Sequence, residues 1–203
     1  MKRITRCLFV LISVLCLGAC AGMSMSGAPA GEGWITLFDR HSNLNDWTEQ
    51  GQANWRIQQG VLKADFMRDK AGSFLVSKKT FADFEIYAEL WVDSDTNSGV
   101  FVRCSDPTKV GATTCYEFNI WDTRPDPTYG TGGIPNIAKV LSVVKAGGHW
   151  NTLEIRLKGD QLTYRLNGVV TATATDNKLA AGHVALQYSG GIVKFRKVLI
   201  RPI

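Results

Sequence analysis

Six consecutive residues, Glu117-Phe118-Asn119-Ile120-Trp121-Asp122, set two carboxylates five positions apart with an amide between them. Paired carboxyl groups in different settings divide the work of general acid and general base. In a plain strand Glu117, Asn119 and Trp121 share one face and Asp122 points to the other. A β-bulge after Ile120 would return Asp122 to the Glu117 face. Arg103, on the amphipathic side of the preceding apolar run, is expected across from Glu117, where its charge would lower the carboxyl pKa and keep it ionised as a base. Asp122 would then need a drier setting to hold a proton as the acid. The expected catalytic group is therefore Glu117, Asp122 and Arg103. Trp121, Tyr129 and Tyr188 offer ring faces on which the C–H surface of a sugar could pack. No metal site is assigned: His41 lies in a turn, and His149 and His183 read as surface histidines. No cofactor is required, although a divalent cation held by carboxylates and carbonyls would leave no His/Cys pattern to read.

Strands must carry these groups. From Trp34 onward, short runs of period-two alternation recur between Gly, Asn, Asp and Pro, with no long helical periodicity. Gly159-Asp160 and Asn167-Gly168 read as two-residue hairpin turns of a three-stranded meander. In it, Leu153, Ile155 and Leu157 face one way and are answered by Leu162, Tyr164 and Leu166. Gln59-Gly60 closes another hairpin. In FEIYAELWV, Phe84, Ile86, Ala88, Leu90 and Val92 form an apolar row, opposite an amphipathic row of Glu85, Tyr87, Glu89 and Trp91. Two strands near the C-terminus are joined by Ser189-Gly190-Gly191. The count reaches about a dozen strands, and the fold class is all-β, a two-sheet sandwich or jelly roll. The Pro- and Gly-rich stretch 122–139 is too long for a hairpin and is expected to rim a site.

The N-terminus reads as an export signal. Lys2, Arg3 and Arg6 precede an apolar run from Cys7 to Leu17, too short for a permanent span. Leu17-Gly18-Ala19-Cys20 resembles the bacterial lipobox, in which the cysteine is acylated; Ala21 after it resembles the outer-membrane sorting pattern of Gram-negative cells. The expected organisation is a signal peptide over 1–19, a flexible tether from Cys20 to residue 33, and one domain over 34–203, lipid-anchored in the cell envelope. Removing residues 1–19 takes away three cations and no acid, so the net charge falls from +5 to +2. No basic cluster with interleaved aromatics remains, which argues against a nucleic-acid partner. Cys104 and Cys115 are then the only cysteines left in an oxidising compartment and are expected to be bonded, worth about 2.5–3 kcal/mol by loop entropy.

The blocks WITLFDRHSNLNDW, FADFEIYAELWVDSDTNSGVFVR, YEFNIWD, AGGHWNTLEIRLKGDQLTYRLNGV and HVALQYSGGIVKFRKVLIRPI resemble those of the 3-keto-disaccharide hydrolase domain family, over nearly the whole domain. The resemblance implies a concanavalin-like lectin/glucanase jelly roll. The implied activity is cleavage of glycosides already oxidised at carbon 3, with a sugar 3-dehydrogenase as a partner supplying the substrate. The most specific blocks hold Asn97, Arg103, Glu117 to Asp122 and Gln187. Many members carry an acidic residue or His just after that glutamine, where this chain has Tyr188-Ser189-Gly190. The 117–122 segment also resembles the spaced acidic motif of laminarinase-type glucanases, with Asn119 in place of an aspartate and Asp122 in place of a glutamate. A 3-keto sugar has an acidified hydrogen on carbon 2, so one base could start the cleavage, with Arg103 or Lys139 steadying the enolate. Asn97, Asn119, Trp121, Tyr129, Lys139, Gln187 and Tyr188 are the expected substrate contacts. Two other readings stand beside a glycosidase: a non-catalytic carbohydrate-binding lipoprotein, and a structural lipoprotein with an apolar contact face.

Overall fold

The apolar row Phe84, Ile86, Ala88, Leu90 and Val92 is buried to 1 % exposure or less, as period-two spacing on a strand with one covered face requires. The computed structural model describes residues 27–29, 31–69 and 71–203, so Cys20 and the expected export signal lie outside the described residues. No helix among the described residues is long and apolar enough to cross a membrane. The strands run β1 (Ile35–Phe38), β2 (Trp47–Gln50), β3 (Arg56–Gln58), β4 (Val61–Ala64), β5 (Ser73–Phe81), β6 (Phe84–Val92) and β7 (Ser98–Cys104). They continue as β8 (Tyr116–Ile120), β9 (Trp150–Lys158), β10 (Gln161–Leu166), β11 (Val169–Thr175), β12 (Gly182–Tyr188) and β13 (Val193–Pro202), with one 3-10 turn, Pro127–Tyr129.

They form a two-sheet antiparallel jelly roll. A large sheet has the order β11-β10-β9-β6-β13-β4-β3, with β1 also on β13, and a small sheet has the order β2-β5-β12-β7-β8. The meander turns fall at Gly159-Asp160 and Asn167-Gly168, and Leu162, Tyr164 and Leu166 pair with Leu157, Ile155 and Leu153. Asn167 and Gly168 both take positive φ, the geometry a tight twisted hairpin needs. Ser189-Gly190-Gly191 does not close a hairpin: β12 lies in the small sheet and β13 in the large one, so this link crosses between layers.

Both sheets send their inward residues into one core. Val100, Val102, Tyr116, Phe118, Ile120, Val184 and Leu186 from the small sheet meet the apolar row of β6 and the meander leucines. Tyr164 spans the layers: its ring meets Phe118 edge-on at 5.2 Å and its hydroxyl donates to the Asn119 carbonyl at 3.2 Å. Burial, with the charges of Asp122 and Glu117, pushes the Tyr164 phenol upward, so it stays a neutral donor.

A second, smaller apolar cluster lies outside the small sheet. Val76, Phe101, Cys104, Cys115 and Ala185 pack there with Phe74 and Val110. Cys104 and Cys115 are disulfide-bonded, and the loop they close is strapped down by Gln50, whose amide donates to the Pro107 carbonyl.

Candidate active site

Two cross-strand rows build the outer face of the small sheet. One runs Glu117, Phe101, Ala185, Val76 and Thr48; the next runs Asn119, Gly99, Gln187, Phe74 and Gln50. Phe101 and Phe74 meet edge-on at 5.3 Å. Gly99 leaves a gap between the two amide side chains, and a Cβ there would press to 3.1 Å on the Phe118 carbonyl and 3.4 Å on Gln187 Oε1. The disulfide loop packs Val110 onto this face and reaches Gln50 through Pro107, and the 130–133 segment lies along its β8 edge.

Glu117 is the acid of the first row. Burial is the main influence on its carboxyl and raises it to about 7; the Arg124 guanidinium pulls the other way, and no hydrogen bond contributes. A carboxyl near 7 divides its population between acid and base at neutral pH, as proton transfer in either direction requires. In the next row, Gln187 Oε1 and Asn119 Oδ1 are buried acceptors without a donor among the described residues. Orphaned buried acceptors are costly and uncommon in folded proteins.

Arg103 is not where alternation places it. Its φ of 49° takes the backbone into the left-handed region, and the β12 partner is bulged between His183 and Ala185. Gly182 packs so tightly there that a Cβ would meet the Arg103 carbonyl carbon at 2.4 Å. The guanidinium, 1 % exposed, therefore turns into one end of the sandwich. It donates to the carbonyls of Ala82, Gly159 and Leu179 at 2.8–3.0 Å and to Asp83 Oδ1 at 2.8 Å. It ties three inter-strand connections and takes no part in the Glu117 shift, so the expected lowering of that pKa is reversed.

Asp122 does not converge with Glu117 either. β8 ends at Ile120 without the expected bulge, and Asp122 turns back into the loops. Its carboxylate accepts from the Thr131 hydroxyl at 2.6 Å and from the Ala146 and Gly147 amides at 3.0 and 2.9 Å. Asn119 is fully buried and moors the rim loop, donating to the Tyr129 carbonyl at 2.6 Å. Beside it, Gly132 donates to the Asn119 carbonyl and Asn119 donates to Gly133, so this loop lies along the outer edge of β8. Tyr188 faces the core, edge-on to Trp55, with its hydroxyl on the Gly191 carbonyl; alternation from Gln187 puts it on the inner face. Lys139 is exposed, and its charge acts on Asp126 in the rim loop. Asn97 is half-buried, with its backbone bonded to Ser189 and Gly190. Trp121 is half-buried and carries Arg124 at 5.7 Å from its ring centre. Arg124 is the cation that reasoning from sequence missed: it lies in an irregular loop where no alternation signals which way it points.

Among the described residues, no group of three or more His, Cys, Asp or Glu is placed to hold a metal ion. His41 and His149 are exposed, and the His183 ring bonds to the Ser77 carbonyl.

The fold and this face define a concanavalin-like jelly roll. The chain belongs to the 3-keto-alpha-glucoside-1,2-lyase-like domain family, whose model matches residues 33–201. A candidate glycosyl hydrolase of Parabacteroides distasonis superposes with a TM-score of 0.63 at 23 % identity, covering 84 % of this chain and 99 % of the other. A Bacillus licheniformis beta-glucanase gives 0.60 at 13 % identity, covering 84 % and 98 %. A Bacillus subtilis carbohydrate-binding module gives 0.56 at 16 %, covering 82 % and 98 %. No curated protein matches.

Proposed function

We propose that this domain cleaves 3-keto-glycosides at the outer face of the small sheet, with Glu117 as the proton-transfer group, and that the chain is held in the envelope by a lipid on Cys20. Family membership supports the substrate class, and the isolated, elevated carboxyl of Glu117 carries the mechanism. Glu117 in its ionised form removes the hydrogen on carbon 2, made acidic by the neighbouring ketone. The released electron pair forms the C1–C2 double bond, the C1–O glycosidic bond breaks, and the leaving oxygen takes a proton from Glu117 or from water. Stopping there is a lyase reaction; adding water across the double bond completes hydrolysis. Arg124, whose charge acts on Glu117, takes the electrostatic role first expected of Arg103 and Lys139. Gln187 Oε1 offers its free acceptor to a sugar hydroxyl.

A non-catalytic sugar-binding reading has one observation of its own: Asp122 is occupied by loop contacts, which leaves Glu117 without a second free carboxylate. One experiment separates the two. Glu117→Gln, an isosteric change, is expected to lower turnover of a 3-keto-glucoside by about 10²–10⁴-fold with an unchanged circular dichroism spectrum. Wild-type protein that binds the same compound without turning it over favours the binder, and a variant with undiminished rate removes Glu117 from the mechanism.

A further inference from the structure

The large sheet also has an outer face, and nothing in the proposed chemistry uses it. It carries aromatic rings capped by cations: Arg201 lies 4.8 Å over Trp34, Lys194 4.0 Å over Trp91 and Arg196 4.4 Å over Trp150. Acids on this face are outnumbered. Asp65 is shared by Arg56 and Lys63 and Glu85 by Arg156 and Arg201, while Lys194 pairs with no acid among the described residues. Glu89 with Arg196 and Glu154 with Arg165 are one-to-one. With Lys158, which follows Arg156 on the same side of β9, these groups number eight cations against four acids. A hollow of about 390 Å³ opens on it, lined by Trp34, Arg156 and Arg201 and by Gly27 and Pro29 of the N-terminal segment. In its wall the Trp34 and Arg201 Nε–H groups are buried donors without an acceptor among the described residues. Tryptophan and Arg or Lys in one belt are the residues that settle at a membrane interface, where ring and charge meet headgroups.

We propose that this face docks on the surface of an anionic phospholipid bilayer. The chain itself argues for that partner. Gly27 lies on this face, and seven residue steps lead from it back to Cys20, a reach of about 25 Å at full extension. A lipid on Cys20, the anchoring reading on which this inference rests, would hold the large sheet beside the bilayer with its excess cations facing anionic headgroups. The Glu117 face would then be turned outward.

The test uses the full acylated protein in vesicles of phosphatidylethanolamine and phosphatidylglycerol, treated with a membrane-impermeant amine reagent and read by peptide mass. Lys194 and Lys158 on the large-sheet face are expected to react at least about fivefold more slowly than in detergent, the scale of one basic residue at an anionic surface. Lys78 and Lys109, on the other side, should keep their rates within about twofold. Salt at about 0.5 M, or the double variant Lys194→Glu/Arg196→Glu, should restore the Lys158 rate. Equal rates at all four lysines, protection of Lys78 and Lys109 instead, or protection appearing only when an acidic polysaccharide is added would overturn the proposal. Intact mass of the N-terminal peptide reports acylation separately. An unacylated N-terminus refutes the anchor, and the same lysines, read after adding that chain to the vesicles, still decide the docking face.

Discussion

On the outer face of the large sheet Glu85 is held by Arg156 and Arg201 and Glu89 by Arg196. On the outer face of the small sheet Glu117 meets no hydrogen-bond donor among the described residues, and Gln187 Oε1, two residue steps along the neighbouring strands, meets none either. Both faces belong to one sandwich and draw on the same residue types. The difference is that the large-sheet face pairs its acids Asp65, Glu85, Glu89 and Glu154 with cations, whereas the small-sheet face leaves a buried carboxyl and amide acceptors for something outside the chain. A polar group kept unsatisfied at a cost to the fold marks where a ligand is to complete it. Arg103 shows that a buried charge can also belong to the first kind: all its contacts are internal, and it works as a tie.

If that division holds, removing Arg103 should do the greatest damage to the fold. Arg103→Met is expected to lower unfolding free energy by about 3–5 kcal/mol, because Asp83 and three carbonyls lose their donor together. Urea denaturation checks it, and a loss under about 1 kcal/mol would mean the guanidinium is not a tie. Glu117 should behave in the opposite sense. Its folded pKa of about 7 lies above the ordinary 4.5, so the folded state holds the proton more tightly and stability falls as pH rises from 4.5 through 7. Glu117→Gln is therefore expected to be more stable than wild type at pH 8, by about 2–3 kcal/mol, with the difference fading by pH 4. Parallel denaturation curves at both ends would show it. The smallest effect belongs to the exposed pair Glu154–Arg165: Glu154→Gln should shift stability by about 0.5 kcal/mol or less. A larger loss there would blur the contrast between the two faces.

Much of this architecture is legible in the sequence, where local rules act alone. Asn167-Gly168 and Gly159-Asp160 fix their hairpins, the spacing in β6 fixes its buried side, and Cys104 and Cys115 form the disulfide expected of them. Glu117 was legible as an exposed-side residue of its strand for the same reason. Arg103 was not, because a positive φ and a bulge on the neighbouring strand interrupt alternation at that one residue. Asp122 was misplaced because contacts with Thr131, Ala146 and Gly147, distant in sequence, capture it where β8 ends. Tyr188 could have been placed correctly, since it adjoins Gln187 in a regular strand and the two must face opposite ways.

The run of Gly132 and Gly133 along β8 has a consequence for neighbouring molecules. A bordering strand with open amides and carbonyls is a template on which a second copy can add its own strand. Here the 130–133 segment already fills part of that template, and it fits because its residues are small. A Cβ on Gly132 would meet the Thr171 side chain at 2.7 Å, and one on Gly133 would meet Tyr129 Cα at 3.0 Å. Wherever copies meet at high concentration, such a chain carries its own guard against strand-to-strand polymerisation at that border.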